Sequence, residues 1–212
     1  VVLEGDSITE GLVDWSLAIR QASDAHYAVN KPTFVNYGTS GYNVTDIDTR
    51  IANDIVVEGA ASLWIIRIGI NDVFHGTTEA TFNTRIASIA AKIIAGGVTP
   101  GNVLFVDNLV LGERPIDGTN SGITFGGGTS NDAGILTFNR RLQNMCARNG
   151  FLFAETRDKF WRPWETANNT ANPPVGDGIF TAPFGTIGVH PSVPLGRDLL
   201  GNWVLSNYVA FS

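Results

Sequence analysis

Leu63-Trp64-Ile65-Ile66-Arg67-Ile68-Gly69-Ile70-Asn71-Asp72 is the stretch on which the fold turns. Five of its first six residues are apolar, and the run then breaks at a glycine followed shortly by two small polar residues. Apolarity on successive positions, rather than in alternation, suits a strand covered on both faces, as in a parallel sheet between helices. The polar break then marks the carboxyl end of that strand.

Working outward, the same kind of run recurs on both sides. Val1-Val2-Leu3 and Thr33 to Tyr37 precede it, and Val103 to Val106 and Phe151 to Ala154 follow. Helical spacing fills the gaps between them. Ile8 to Ala25 carries Leu12, Trp15 and Ile19, and Val44 to Val57 opens with Thr45 as its capping candidate. Thr81 to Ala95 repeats Phe82, Ile86, Ile89 and Ile93 and stops at Gly96-Gly97, a C-terminal stop signal. Ala133 to Arg148 and Leu195 to Val209 complete the set. Strands alternating with covering helices predict an α/β chain with one three-layer α/β/α domain over residues 1–212 and a five-stranded parallel sheet. Two segments follow neither period. Residues 113–132 are rich in Gly, Ser, Thr and Asn, and residues 161–188 hold prolines, glycines and the aromatics Trp161, Trp164, Phe180 and Phe184. Loops of that length are uncommon unless they serve a function or are disordered.

The composition narrows the function. With 43% apolar and 16% charged residues over 212 positions, the chain is globular. A net charge of −6, with Arg140-Arg141 as the one adjacent basic pair, excludes the basic face that a nucleic-acid partner demands. Cys146 is the single cysteine, so no intrachain disulfide forms, and its helical neighbours Leu142 and Met145 point to a buried structural thiol. No run of about 18 apolar residues exists to span a membrane. Three histidines and one cysteine, well apart, make no zinc site, and neither a metal nor a cofactor is expected. Val1 already opens a strand-like run, so the chain is expected to be one domain of a longer precursor or polypeptide, a context compatible with secretion.

In an open α/β sheet, chemistry gathers beyond the carboxyl ends of the strands. Gly5-Asp6-Ser7-Ile8-Thr9 follows the first strand, and Gly38-Thr39-Ser40-Gly41 the second. Gly69-Ile70-Asn71-Asp72 follows the third, and Gly188-Val189-His190-Pro191 precedes the last helix. A hydroxyl, a small backbone donor, an amide and an imidazole thus converge on one edge. A serine hydroxyl needs a positioned base to become a nucleophile, and histidine titrates near working pH. Attack on an ester carbonyl places negative charge on oxygen, which fixed N–H donors at Ser7, Gly41 and Asn71 would hold. The start of a helix at Ser7 favours the same anion.

These four blocks, in this order and beside these elements, resemble those of the SGNH (GDSL-like) hydrolases over essentially the whole chain. The resemblance implies a flavodoxin-like fold and a metal-independent serine esterase. Ser7 would be the nucleophile, His190 the base, and Ser7, Gly41 and Asn71 the oxyanion hole. One position departs from the pattern. The family usually keeps an aspartate three residues before the histidine, and Ile187 stands there. Either a Ser7–His190 dyad operates, with a backbone carbonyl orienting the ring, or a carboxylate from elsewhere replaces the missing one. Asp177 is the first candidate, because Gly176-Asp177-Gly178-Ile179 resembles the opening of the family's Asp-Gly-x-His block.

Each residue also has a plainer reading. Ser7 would serve as a helix N-cap, Gly41 for its backbone angles, Asn71-Asp72 as a turn, His190 as a helix-start residue and Asp177 as a solvated loop acid. Asp6 is expected to shape the loop, and His26 and His75 need no role. The Gly-x-Ser-x-Gly elbow and the Gly-x-x-x-x-Gly-Lys phosphate loop are both absent. Within the ester class, acetyl esters on carbohydrate come first, since open loops bearing aromatics suit sugar rings. Lipase, thioesterase and aryl esterase activities are the alternatives. A non-catalytic carbohydrate-binding module of a larger protein is the reading from another class.

Overall fold

Val2–Gly5 (β1), Val35–Asn36 (β2), Trp64–Arg67 (β3), Val103–Val106 (β4) and Leu152–Ala154 (β6) form one sheet in the order β2-β1-β3-β4-β6. All of its pairings are parallel. The computed structural model describes residues 1–10, 20–21, 23–24, 29, 31–59, 61–108, 112–113, 131–156 and 187–188. Every residue of β1, β3 and β4 is buried, as a strand covered on two faces must be. The register sets Val2 beside both Val35 and Trp64, and Gly5 beside Arg67, so the strand ends are level.

The helices follow from the direction of travel across the sheet. Val44–Glu58 (α2), Glu79–Ala95 (α4) and Asn131–Asn149 (α5) belong to connections that step one way, from β2 over to β3, then to β4, then to β6. Right-handed crossovers place all three on one face, and α2 packs on α4 and α4 on α5. The connection from β1 to β2 steps the opposite way, which puts Ser7–Glu10 (α1) on the other face. The result is the three-layer, flavodoxin-like arrangement that the alternation of runs predicts.

The core lies between the sheet and α2, α4 and α5. Ile47, Ile51, Phe82, Ile89, Ile66 and Phe105 are all wholly buried. Phe82 stacks on Phe138 of α5, with centroids 4.1 Å apart and planes at 16°. Burial of each such side chain contributes roughly 1.5–3 kcal/mol. Cys146 is buried here, and burial pushes its thiol up to about 12, so it is a packing residue at neutral pH.

Several details differ from the sequence reading. The N-cap of α2 is Asn43, not Thr45: its Oδ1 accepts from Thr45 N (2.8 Å) and Asp46 N (3.3 Å), and Asp46 Oδ2 accepts from Asn43 N (3.0 Å). That reciprocal box satisfies donors at both ends of the turn, which Thr45 has no partner to do. Helix α4 begins at Glu79 behind Thr78, whose hydroxyl accepts from Thr81 N (3.2 Å); the exposed first turn carries no apolar period to reveal it. Ile70–Phe74 is a short helix (α3) where a turn is the plain reading. Gly112–Glu113 (β5) and Ile187–Gly188 (β7) pair antiparallel as a separate ribbon, with Glu113 opposite Ile187. The helix predicted over Leu195 to Val209 and most of the one over Ile8 to Ala25 lie outside the described residues.

Candidate active site

The connections reverse direction between β1 and β3, so the crevice beyond their carboxyl ends is the topological switch point of the sheet. Ser7 stands at the end of β1 and Asn71 at the end of β3, on either side of it. Ser7 is the first helical residue of α1, but it is not the cap. Asp6 caps instead, its Oδ1 accepting from Ile8 N (2.9 Å) and its carbonyl from Thr9 N (2.9 Å) and Glu10 N (3.0 Å). The plainer reading of Ser7 as an N-cap therefore fails, and the shaping role expected of Asp6 is what is found.

The loop after β2 is drawn over β1. Tyr37 N donates to Leu3 O (2.8 Å) and Thr39 N to Gly5 O (3.0 Å). A Cβ on Gly38 would come within 2.3 Å of Glu10 N, so only glycine lets this loop lie against the start of α1. Gly41 takes φ +79 with nothing near its would-be Cβ, which makes the left-handed backbone, not space, the reason for glycine. Arg50 of α2 pins the loop from behind. Its guanidinium donates to Glu4 Oε1, to the Tyr37 carbonyl and to Thr39 Oγ1 (2.8 Å), pairs with Asp54 at 3.0 Å and lies 4.9 Å from the Tyr42 ring centre. Burial pushes Glu4 up to about 8 in spite of that guanidinium.

The loop after β3 meets the loop after β2. Asn71 Nδ2 donates to Tyr42 O (2.9 Å), which ties the amide to the residue after Gly41 and leaves the second N–H of the same nitrogen for another acceptor. Asp72 Oδ2 accepts from Val44 N (2.9 Å), joining the same two loops from beneath. Burial raises Asp72 to about 6, and the nearby charge of Asp6 adds to that rise. Behind them, Gly69 adopts φ +119, and Asn108 Nδ2 would lie 2.7 Å from a Cβ there. Asn108 donates to Ile68 O (2.8 Å) and exchanges hydrogen bonds with Asn139, so a buried amide pair braces this turn.

The fold thus brings Ser7, Gly41 and Asn71 to one edge, while His190 and Asp177 lie outside the described residues. Exposed His75 ends α3 beside Asn43, its Nδ1 3.2 Å from the amide nitrogen. A groove of about 630 Å³, lined by Ile86, Ile94, Arg141 and Met145, runs between α4 and α5. Among the described residues no group of three His, Cys, Asp or Glu could hold a metal ion, and no helix is long and apolar enough to cross a membrane. The sequence reading passed over Arg67, Arg50, Asn108 and Asn139. For Arg67 a signal was present, the one charged residue inside the run Leu63 to Ile68; amides and arginines in ordinary helix positions give none.

The family profile of GDSL-like lipases and acylhydrolases matches residues 4–194, which include all four blocks. The chain belongs to the GDSL-like Lipase/Acylhydrolase family. It is accordingly a carboxylic ester hydrolase. An alpha/beta hydrolase enzyme from the metagenome of Lake Arreo, Spain, superimposes with TM-score 0.71 at 17% identity, over 100% of this chain and 95% of that one. A variant of an acetyl-xylooligosaccharide esterase from Geobacillus stearothermophilus gives TM-score 0.70 at 18% identity, over 100% and 94%. A lipase/acylhydrolase from Enterococcus faecalis gives 0.69 at 20%, over 97% and 92%. At these identities the likeness is one of fold. No curated protein matches the chain in sequence.

Proposed function

We propose that this GDSL-like hydrolase is a serine acetylesterase acting on carbohydrate esters through an acyl-enzyme on Ser7. His190 removes the Ser7 proton as the hydroxyl attacks, and the carbonyl oxygen becomes an anion held by Ser7 N–H, Gly41 N–H and Asn71 Nδ2. The tetrahedral intermediate collapses as His190 returns the proton to the leaving alcohol. Water, activated by His190, then releases acetate and restores Ser7.

The observation that carries this reading is the Asn71–Tyr42 hydrogen bond at the switch point. It holds one amide N–H by protein and so fixes the orientation of the group, which is the preorganisation an oxyanion donor needs. Capping by Asp6 relieves the Ser7 hydroxyl of that structural duty. The acetyl and carbohydrate part rests on the acetyl-xylooligosaccharide esterase among the similar folds and on the aromatics of residues 161–188.

A panel of p-nitrophenyl esters, run beside acetylated polysaccharides, tests the substrate. Rates that fall as the acyl chain lengthens, with acetate released from the polysaccharide, support the proposal; preference for long chains makes the protein a lipase. Failure to react with a fluorophosphonate probe would support the non-catalytic binding module instead. For the third position, Asp177→Asn separates two arrangements. A kcat reduced by about 10⁴, the cost of a wrong histidine tautomer, makes Asp177 the orienting acid, and an unchanged kcat makes the pair a dyad.

A further inference from the structure

Arg67 is wholly buried, at the last position of β3 and level with Gly5. Burying a guanidinium costs several kcal/mol before its partners are counted, and an aliphatic residue would fill the same place without that cost. Side chains alternate along a strand, so Arg67 lies on the face opposite Glu4 and its partner Arg50, on the side of α1. Its Nη1 is 3.5 Å from Oδ1 of Asp6, the oxygen that caps α1 through Ile8 N.

Two buried carboxylates flank the proposed oxyanion hole in the chain itself: Asp6 precedes Ser7 and Asp72 follows Asn71. They are close enough for Asp6 to act on Asp72. Uncompensated negative charge there opposes the anion that forms on the substrate, because charges interact strongly where water is excluded. The other charged or titratable group acting on Asp72 among the described residues is the exposed His75. Arg67 is the buried cation paired with Asp6.

We propose that Arg67 is a positioning residue whose charge offsets Asp6, holding the Asp6 cap and with it the Ser7 N–H in the field an oxyanion requires. This rests on the assignment of Ser7, Gly41 and Asn71 above. Its effect belongs to kcat, since a neutral ester in the ground state does not feel the charge, and KM stays nearly constant.

The test is a double-mutant cycle with p-nitrophenyl acetate. Arg67→Met, which keeps volume and removes charge, should lower kcat about a hundredfold with KM within about twofold, the scale of loss from a misplaced group. Arg67→Lys, which keeps charge but not the planar fork, should lose about tenfold. Adding Asp6→Asn to Arg67→Met removes the unmatched carboxylate while Asn still caps, and should recover about tenfold of the loss. A mere packing role predicts losses that multiply, with no recovery. Should Arg67→Met not fold, Arg67→Lys with and without Asp6→Asn carries the comparison: a Lys penalty that shrinks in the Asp6→Asn background supports the proposal, and an unchanged penalty overturns it. Ser7→Ala runs alongside. Full activity in that variant sinks the underlying site; an inactive Ser7→Ala with an Arg67→Met of wild-type kcat sinks the role of Arg67 alone.

Discussion

Between the sheet and helices α2, α4 and α5 the interior is mostly apolar, with Ile47, Ile51, Ile66, Phe82, Ile89 and Phe105 wholly buried. At and beyond the carboxyl ends of the sheet strands, buried polar groups stand among apolar ones such as Ile68 and Ile70: Asp6, Arg67, Asp72, Asp107, Asn108 and Thr156, with Asn139 of α5 against them. The two regions share strands yet differ in what holds them together. The body is held mainly by non-directional burial, with Asp48 of α2 paired to Arg85 (2.8 Å) and Lys92 (2.7 Å) of α4 among its few directional contacts. The edge is held by fixed hydrogen bonds, such as Thr156 N to Asp107 Oδ1 (2.7 Å) and Asn108 N to Asn139 Oδ1 (2.8 Å), which allow one arrangement. Precision is located where the chemistry is, and stability behind it.

The largest expected break in that division comes from Phe82. Phe82→Ala removes the stack on Phe138 and should cost roughly 3–5 kcal/mol of stability, read from denaturant unfolding, while kcat per folded molecule stays near wild type. Loss of kcat in the folded fraction would mean that the body, too, positions the site. The converse substitution is Asn71→Ala. It should reduce kcat by roughly 10²–10³ with little change in KM or in unfolding midpoint, the usual result of deleting one oxyanion donor. A change confined to KM would make Asn71 a substrate-binding residue.

A smaller effect sharpens the comparison through pH. Burial raises Glu4 from 4.5 to about 8 and Asp72 from 3.8 to about 6, so the folded chain binds protons that the unfolded chain has released. Stability contributed by these groups is complete below the unfolded values and is lost as pH rises through the folded ones. Tm should therefore fall between about pH 5 and pH 8, and Glu4→Gln should flatten the upper part of that decline. A Tm that rises across the interval would mean that Arg50 keeps Glu4 ionised throughout. Smallest is Asn43→Ala, which removes the cap of α2 and should cost about 1 kcal/mol by thermal unfolding.

The same division explains what could be read from the sequence. Runs such as Val103 to Val106 and spacings such as Phe82, Ile86, Ile89 and Ile93 report one-dimensional periodicity, and burial follows it closely. Three of the four blocks were legible because strand ends fall at fixed places in this fold, and Ser7, Gly41 and Asn71 do come to one edge; His190 of the fourth lies outside the described residues. The partners were not legible, since they pair residues far apart in the chain: Asp72 with Val44, Arg67 with Asp6, Asn108 with Asn139. The cap of α2 was misread by two residues because Asn43 and Thr45 are both good capping types, and the choice depends on Asp46 reaching back. The ribbon of β5 with β7 was missed because two residues on each side give no period.

The central claim is that Ser7 is the residue that becomes acylated. Brief reaction of the protein with a fluorophosphonate, followed by intact-mass measurement and peptide mapping, tests it most directly. One adduct per chain on the peptide containing Ser7, absent in Ser7→Ala, is the predicted result; an adduct on another residue, or one that persists in Ser7→Ala, would contradict it.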